Sequence, residues 1–327
     1  QQAAIEATVR SRRRWYYGWV NVVIASIAMT ATLPGRTHGL GLITQPLVSD
    51  PALGVNDLLF SRLNFWAIVI GSIMCVPVGR MIDRFGCRPV LVGVSSALGL
   101  SVLWMSGAKA VLPLLISLIL IRGLGQGALS VVSMALIGKW FTRRLGQAMG
   151  VFTVLLAIGF IASTLGVGEA VKSLGWRHAW AAVGWFLLLG LAPVGWLFAR
   201  STPESAGVEV EGGAAPDSEQ RMDLPLGVAL RQPSFWVFTL AMALFNMAWS
   251  AITLFNESLL QERGLQGAFV LVMAVLVFSG LPTNLVAGWL TTRCSMGRLL
   301  SVGMAVLAVA LGSFPWVYTQ AQAIAYA

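Results

Sequence analysis

The chain has 327 residues, 57% of them hydrophobic and only 11% charged, with a mean hydropathy of +0.78. A soluble domain carries about 25% charged residues, so water is excluded as the main solvent of these side chains. The net charge of +9 does not point to nucleic acid: the basic residues stand in short clusters between apolar runs, as in membrane proteins of fixed orientation.

Taken in chain order, apolar runs fall at roughly 17–47, 59–79, 89–107, 111–138, 146–167, 178–199, 234–256, 267–290 and 299–318. Each can cross about 30 Å of hydrocarbon as a helix, which satisfies its own backbone hydrogen bonds. The tail from Gln320 to Ala327 reads as the start of a further span. Arg10 and Arg12–Arg14 before the run from Trp19 imitate a signal peptide, but the many runs behind them argue for a retained first span. That first run is too long for a simple crossing, and Pro34-Gly35 predicts a kink inside the bilayer. Segment 200–232 differs in kind: Glu204, Glu209, Glu211, Asp217, Glu219 and Asp223 surround Gly212-Gly213 and several prolines, the composition of a solvated linker. The expected fold class is an all-α polytopic membrane protein. It has a six-helix half over 1–199, a linker over 200–232, and an incomplete second half of about three spans over 233–327.

With the N-terminus inside, one side of the membrane collects Arg10, Arg12–Arg14, Arg80, Arg84, Arg88, Lys139, Arg143, Arg144, Arg200, Arg221, Arg231, Arg293 and Arg298. The other side collects Arg36, Arg62, Lys109, Lys172, Arg177 and Arg263. The positive-inside rule then places the N-terminus and the linker in the cytoplasm, and the protein in a plasma membrane such as a bacterial inner membrane.

The chemistry that an enzyme needs is not in evidence. Cys75, Cys87 and Cys294 share no CxxC spacing and read as packing residues, and with His38 and His178 as the two histidines a multi-histidine metal site is not available. The glycines of 123–127 lie inside an apolar helix with no G-K-[ST] after them, so close helix packing is the better reading than a phosphate cradle. No cofactor is expected, and an ion or substrate gradient is the energy source.

Gly79-Arg80-Met81-Ile82-Asp83-Arg84-Phe85-Gly86-Cys87-Arg88 closes the second span. Gly79 and Gly86 allow a tight turn, and Asp83 among three arginines forms a latch that one conformation makes and another breaks. The alternative is a plain basic topology signal. This stretch resembles the G-x-x-x-D-R-x-G-x-R loop of the major facilitator superfamily, at the place where that family carries it. Arg122-Gly123-Leu124-Gly125-Gln126-Gly127 is similar to the family's arginine-containing fourth helix. Trp140 to Gly150 and Gly175 to Trp180 are similar to its entries into spans five and six. The resemblance implies a twelve-span bundle of two repeated halves working by alternating access, of which this chain has the first nine or so spans and reads as truncated. Gly288 to Arg293 repeats the end of span two weakly, with Thr292 where Asp83 stands in the first half. Leu33-Pro34-Gly35-Arg36 resembles the monocarboxylate-type branch, in which a cation sits in the first helix, whereas Leu281 before Pro282 departs from that branch's arginine.

Counted from the cytoplasmic ends of their spans, Arg36 lies about nineteen residues in, Asn64 about fifteen, and Arg122 and Trp249 about sixteen, within roughly 6 Å of one layer. Intramembrane arginine is costly and faces an aqueous cavity or a partner. No Asp or Glu lies at that depth in the visible spans, so two cations favour an anionic ligand. Arg36, His38, Asn64, Arg122, Asn246 and Trp249 are therefore the candidate substrate-binding residues, with Gln126 weaker. Gly79, Asp83, Arg84, Gly86 and Arg88 are the gating residues. Alternatives stand beside each. Arg36 snorkels to the outer surface, Arg122 bonds carbonyls of a neighbouring helix, and His38 stabilises the kink rather than exchanging protons with a coupled proton flux. The function expected is transport of a small organic solute, an anion such as a carboxylate. The rival readings are an exporter of amphipathic compounds, which thirteen tryptophans and twelve methionines suit, and a transport-inactive sensor.

Overall fold

The computed structural model describes residues 16–141, 144–203, 226–262, 264, 269–290, 293–319 and 321–322. All regular structure among them is helical. Six helices are long and apolar enough to cross a membrane: Asp57–Phe85, Cys87–Ser106, Val111–Trp140, Leu145–Leu174, Trp176–Phe198 and Met296–Trp316. The protein is thus an integral multi-pass membrane protein. The chain divides into two compact units between Gly213 and Ala214, inside the acidic segment.

In the first unit, span 1 consists of α1 (Gly18–Thr30), a 3-10 turn at Leu33–Gly35 and α2 (Thr37–Val48). Span 2 consists of α3 (Asp57–Ile73) and α4 (Cys75–Phe85). Asn56 caps α3 by accepting the Leu59 backbone N–H at 2.8 Å, with Asp57 in the first turn, both favourable at the positive end of a helix. Span 3 is α5 (Cys87–Ser106). Span 4 runs from α6 (Val111–Ile121) through a π-helical stretch, Arg122–Leu129, to α7 (Ser130–Trp140). Span 5 is α8 (Leu145–Leu174), and span 6 joins α9 (Trp176–Trp185) to α10 (Ala192–Phe198) through a second π-helical stretch, Phe186–Leu191.

Two span ends differ from the sequence expectation. Span 2, expected to end near 79, continues as helix to Phe85 in the last turns of α4, and the turn shrinks to Gly86 alone. Likewise α8 runs to Leu174 rather than 167, and Gly175 alone separates it from α9. Both glycines sit at positive φ with extended ψ (84°/166° and 82°/156°), a region essentially reserved for glycine. A single such residue reverses the chain, so the polar residues before it stay helical.

These two turns reveal an internal symmetry. Each is followed by x-Arg: Gly86-Cys87-Arg88 and Gly175-Trp176-Arg177. Arg88 Nε, at the start of span 3, donates to the Trp196 carbonyl at the end of span 6 (2.7 Å), while Arg177 Nη1, at the start of span 6, donates to the Ser106 carbonyl at the end of span 3 (2.8 Å). Each arginine thus caps the orphan carbonyls of the other's helix. Between the caps, Gly99 and Gly184 approach so closely that a Cβ on either would lie 2.9 to 3.0 Å from the other's carbonyl oxygen. Span 1 packs on spans 4 and 5, and span 2 on span 4, the pattern of two three-helix repeats in opposite orientation, 1–3 and 4–6.

The core of this unit is apolar and lies between those helices, with Leu91, Leu98, Val102, Leu114, Leu118 and Trp180 fully buried. At the basic end an aromatic group closes it. Tyr16 donates to the Trp140 carbonyl (2.6 Å), Trp140 donates to the Arg200 carbonyl (2.9 Å), and buried Asn21 exchanges bonds with the Arg200 backbone. The second unit contains α11 (Leu226–Ala229), α12 (Pro233–Glu262), α13 (Phe269–Leu290) and α14 (Met296–Ser313). There α12 packs against α13 and α14.

Candidate functional site

The site is built on the break in span 1. Pro34 has no N–H to give a helix and clashes with the preceding turn. The chain therefore tightens into a 3-10 turn, with the Gly35 and Arg36 amides bonded to the Thr32 and Leu33 carbonyls at 2.9 and 3.1 Å. Arg36 is then extended (φ −95°, ψ 153°), and α2 restarts at Thr37 with no side-chain cap. A half-helix therefore begins within the span with the N–H groups of its first turn unbonded within the helix, carrying the positive end of its dipole.

Span 4 supplies the opposite wall. Its π-helical stretch contains Gly123, Gly125 and Gly127 and holds Arg122 at its start. The 3-10 turn rests on it so tightly that a Cβ on Gly35 would lie 2.6 Å from the Ile121 carbonyl oxygen and 2.7 Å from the Gln126 nitrogen. Both contacts are backbone and have no room to yield.

Arg122 is 3% exposed and its donors are turned inward. Nη1 donates to the Gly35 carbonyl (2.9 Å), with Thr37 Oγ1 and Gln126 Oε1 each at 3.3 Å. Nε and Nη2 both donate to Asn64 Oδ1, at 3.1 and 2.7 Å. Arg36 is half-buried. Its Nε donates to Thr32 Oγ1 (2.8 Å), and Nη2 faces Met29 Sδ and Ser130 Oγ at 3.4 and 3.5 Å. Its guanidinium lies over the Phe160 ring, 5.2 Å from the centroid, and exposed His38 meets the same ring edge-on at 5.4 Å. Nη1 of Arg36 makes no hydrogen bond among the described residues.

The structure thus brings Arg36, His38, Asn64 and Arg122 together around one backbone break. Asn246, on α12 of the second unit, is exposed and donates to its own helix at the Met242 carbonyl (2.7 Å). Trp249 lies in the same helix, and its side chain is outside the described residues. Phe160, Thr32, Thr37 and the Gly35 carbonyl belong to the site but carry no signal in the sequence. Phe160 is one of two phenylalanines on an apolar span, and a carbonyl becomes a partner only when the helix breaks.

At the basic end, the ion pair that Asp83 makes among the described residues is with Lys139, at 4.0 Å. The arginines around it do other work: Arg84 stacks on Phe85 at 5.4 Å, and Arg88 stacks on Trp196 at 4.5 Å while bonding its carbonyl. Gly79 lies in the helix and Gly86 makes the turn. Thr292, the counterpart of Asp83 in the second half, is outside the described residues.

At the opposite end Asp50 Oδ2 accepts from Arg177 Nε and lies 3.0 Å from Nη2, with Trp176 Nε1 at 3.2 Å, while Oδ1 accepts from the Ala52 N–H at 3.0 Å. Burial pushes the Asp50 carboxyl up, but the Ala52 N–H and the charge and hydrogen bonds of Arg177 and Trp176 together hold it below its ordinary value of 3.8. Two apolar cavities of about 500 Å³ each complete the unit, one among spans 1, 5 and 6 and one among spans 2, 3 and 4. No group of His, Cys, Asp and Glu suited to a metal ion occurs among the described residues.

Comparison with known proteins agrees with this architecture. Mouse (Mus musculus) monocarboxylate transporter 11 is 29% identical over 321 residues, 93% of this chain and 67% of its own length. An MFS-type efflux pump of Mycolicibacterium smegmatis is 24% identical over 267 residues, 81% of this chain and 59% of the pump. The fujikurins efflux protein of Gibberella fujikuroi is 27% identical over 211 residues, 63% of this chain and 44% of that protein. The chain therefore spans between about two fifths and two thirds of the length of these relatives. The family model of the Major Facilitator Superfamily matches residues 21–327, and the chain belongs to that superfamily of transporters.

Proposed function

We propose that the protein carries a small organic anion, such as a monocarboxylate, across the membrane by alternating access, and that Arg36 is the group that receives it. The observation that carries this reading is the state of Arg36. It is a half-buried cation at the start of a half-helix, with one guanidinium nitrogen unbonded among the described residues. The acidic residues described in this unit, Asp50, Asp57, Asp83 and Glu169, all lie at span ends. A cation at this depth without a carboxylate beside it is stabilised by an anionic guest, to which guanidinium presents two parallel donors. The helix start adds partial positive charge from the same side. The name of the mouse relative supports the carboxylate class. His38, against the same aromatic ring, is the imidazole of the site and the candidate for proton coupling. The N-terminus and linker face the cytoplasm in this reading, as the basic residues argue.

The test is uptake by the full chain in proteoliposomes, with radiolabelled acetate, pyruvate and benzoate against tetraphenylphosphonium. Carboxylates should enter, and Arg36→Gln should raise KM at least about tenfold, the equivalent of one charge-assisted hydrogen bond. Entry of the cation without the carboxylates favours the second reading. That reading, export of amphipathic compounds, draws on the efflux relatives and the apolar cavity among spans 1, 5 and 6.

A further inference from the structure

The sequence put Arg36 and Arg122 at one depth and suggested a shared task. The geometry divides them. Arg122 has a single donor hydrogen, on Nη2, left over from its bonds to Asn64, Gly35, Thr37 and Gln126, and it is sealed from solvent. What it bonds is informative. The Gly35 carbonyl is the last acceptor before the chain turns extended, and Thr37 is the first residue of the restarted helix. In an unbroken helix the Gly35 carbonyl would receive the amide of residue 39. Here that amide belongs to the first turn of a different helix axis, and Arg122 supplies the missing donor. Its guanidinium therefore spans the break from both sides of Arg36, the residue between Gly35 and Thr37.

We propose that Arg122 is a positioning residue: clamped by Asn64, it fixes the backbone break of span 1 and thereby sets where the Arg36 guanidinium stands. The inference rests on the reading of Arg36 as the anion's receptor. Three features make the clamp specific. Asn64 has a carbonyl oxygen that takes two guanidinium donors at once and adds no charge, so Arg122 is held without being paired off. The π-helical stretch begins at Arg122, and such stretches displace the residues after them from the regular helical path. Gly125 of that stretch then lets the 3-10 turn approach to backbone contact at Gly35, which puts the Gly35 carbonyl within one bond of Nη1. Lysine would keep the charge but not the forked reach to Gly35 and Asn64 together.

The experiment joins backbone hydrogen exchange with transport in the full chain. Exchange is followed without ligand on the peptide covering 33–40, and KM and maximal rate are measured for radiolabelled pyruvate in proteoliposomes. Arg122→Gln should speed exchange across the break and raise KM about tenfold or more, with a smaller change in maximal rate. Arg122→Lys, which folds more readily, should fall between Gln and the parent in both readings. Asn64→Leu is the discriminating variant, since it keeps the Arg122 charge and frees two of its donors. As a clamp, Arg122 then loses its anchor, and both exchange and KM rise. As an anion ligand, Arg122 would be released toward the guest, and KM would hold or fall. An Asn64→Leu protein with unchanged or lowered KM overturns the proposal, as does unchanged exchange in Arg122→Gln, or faster exchange with the parent's KM. Failure of the underlying reading looks different: Arg36→Gln would then transport pyruvate with the parent's KM, whatever exchange does at the break.

Discussion

Replacing Asp50 by asparagine tests whether the end of the six-helix unit opposite its basic face is held by a charged staple. Asp50 accepts from Arg177 Nε (3.0 Å), Trp176 Nε1 (3.2 Å) and the Ala52 N–H (3.0 Å), with Arg177 Nη2 a further 3.0 Å away. Asparagine has one acceptor oxygen. Whichever side it serves, its NH2 faces donors on the other. Hydrogen bonds to a charged group are worth roughly 1.5–3 kcal/mol each, but the pair is 28% and 16% exposed, and water takes over part of the loss. A net destabilisation of about 2 kcal/mol follows. Because the folded carboxyl lies below its ordinary value of 3.8, the staple's contribution is complete above that pH and disappears as pH falls through the folded value. The assay is reversible unfolding in detergent at pH 7 and at pH values below 4, with Asp50→Asn, Arg177→Met and the double variant. A coupling of about 1–2 kcal/mol is expected at pH 7, shrinking in acid. A coupling under about 0.5 kcal/mol, or one unchanged at low pH, refutes the staple.

Gly175→Ala and Gly86→Ala both force alanine into a glycine-only region, at a cost on the order of 1–3 kcal/mol. A Cβ at Gly175 meets nothing, whereas at Gly86 it lies 2.7 Å from Ser201 Oγ, which also accepts the Arg88 amide. Gly86→Ala should therefore lower the unfolding midpoint more than Gly175→Ala, and the reverse order refutes this account of the turns. For orientation, Gly213→Cys in a chain with Cys75, Cys87 and Cys294 replaced should resist impermeant thiol reagents outside intact cells. Labelling from outside inverts the proposed topology.

What the sequence revealed is what depends on composition and on local chain geometry. Apolar runs gave the spans, Pro34-Gly35 gave the break, and the ten residues from Gly79 gave the family. What it concealed depends on partners far apart in the chain. Arg122 could be placed at a depth but not among its acceptors, because Asn64 and Gly35 lie 58 and 87 residues away. The helical continuation of Gly79 to Phe85 was hidden for a different reason. Charged residues at a membrane surface look alike in a loop or a last helical turn, and the deciding feature is the φ of Gly86. Asp83 was expected among arginines because they neighbour it in sequence, yet side chains on one helix diverge, and Arg88 beyond the turn points to span 6.

The two x-Arg turns explain why one unit contains both a rigid scaffold and a compliant centre. Spans 3 and 6 are closed on each other at both ends by Arg88 and Arg177 and, between them, by glycine contact at Gly99 and Gly184. Displacing one against the other would break two charge-assisted bonds to carbonyls that have no helical donor left. Spans 1 and 4, which correspond to each other in the two repeats, meet instead through a broken helix and a π-helical stretch. There the backbone has already given up regular hydrogen bonds, and the side chains of Thr32 and of Arg122, itself held by Asn64, bond the Met29 and Gly35 carbonyls. Backbone hydrogen bonds inside hydrocarbon cannot be exchanged with water, so a regular helix resists bending there. Bonds to side chains can be exchanged for others at lower cost. If Arg36 receives the anion as proposed, the broken centre is where that binding is converted into backbone movement, while the stapled periphery carries the movement as a unit.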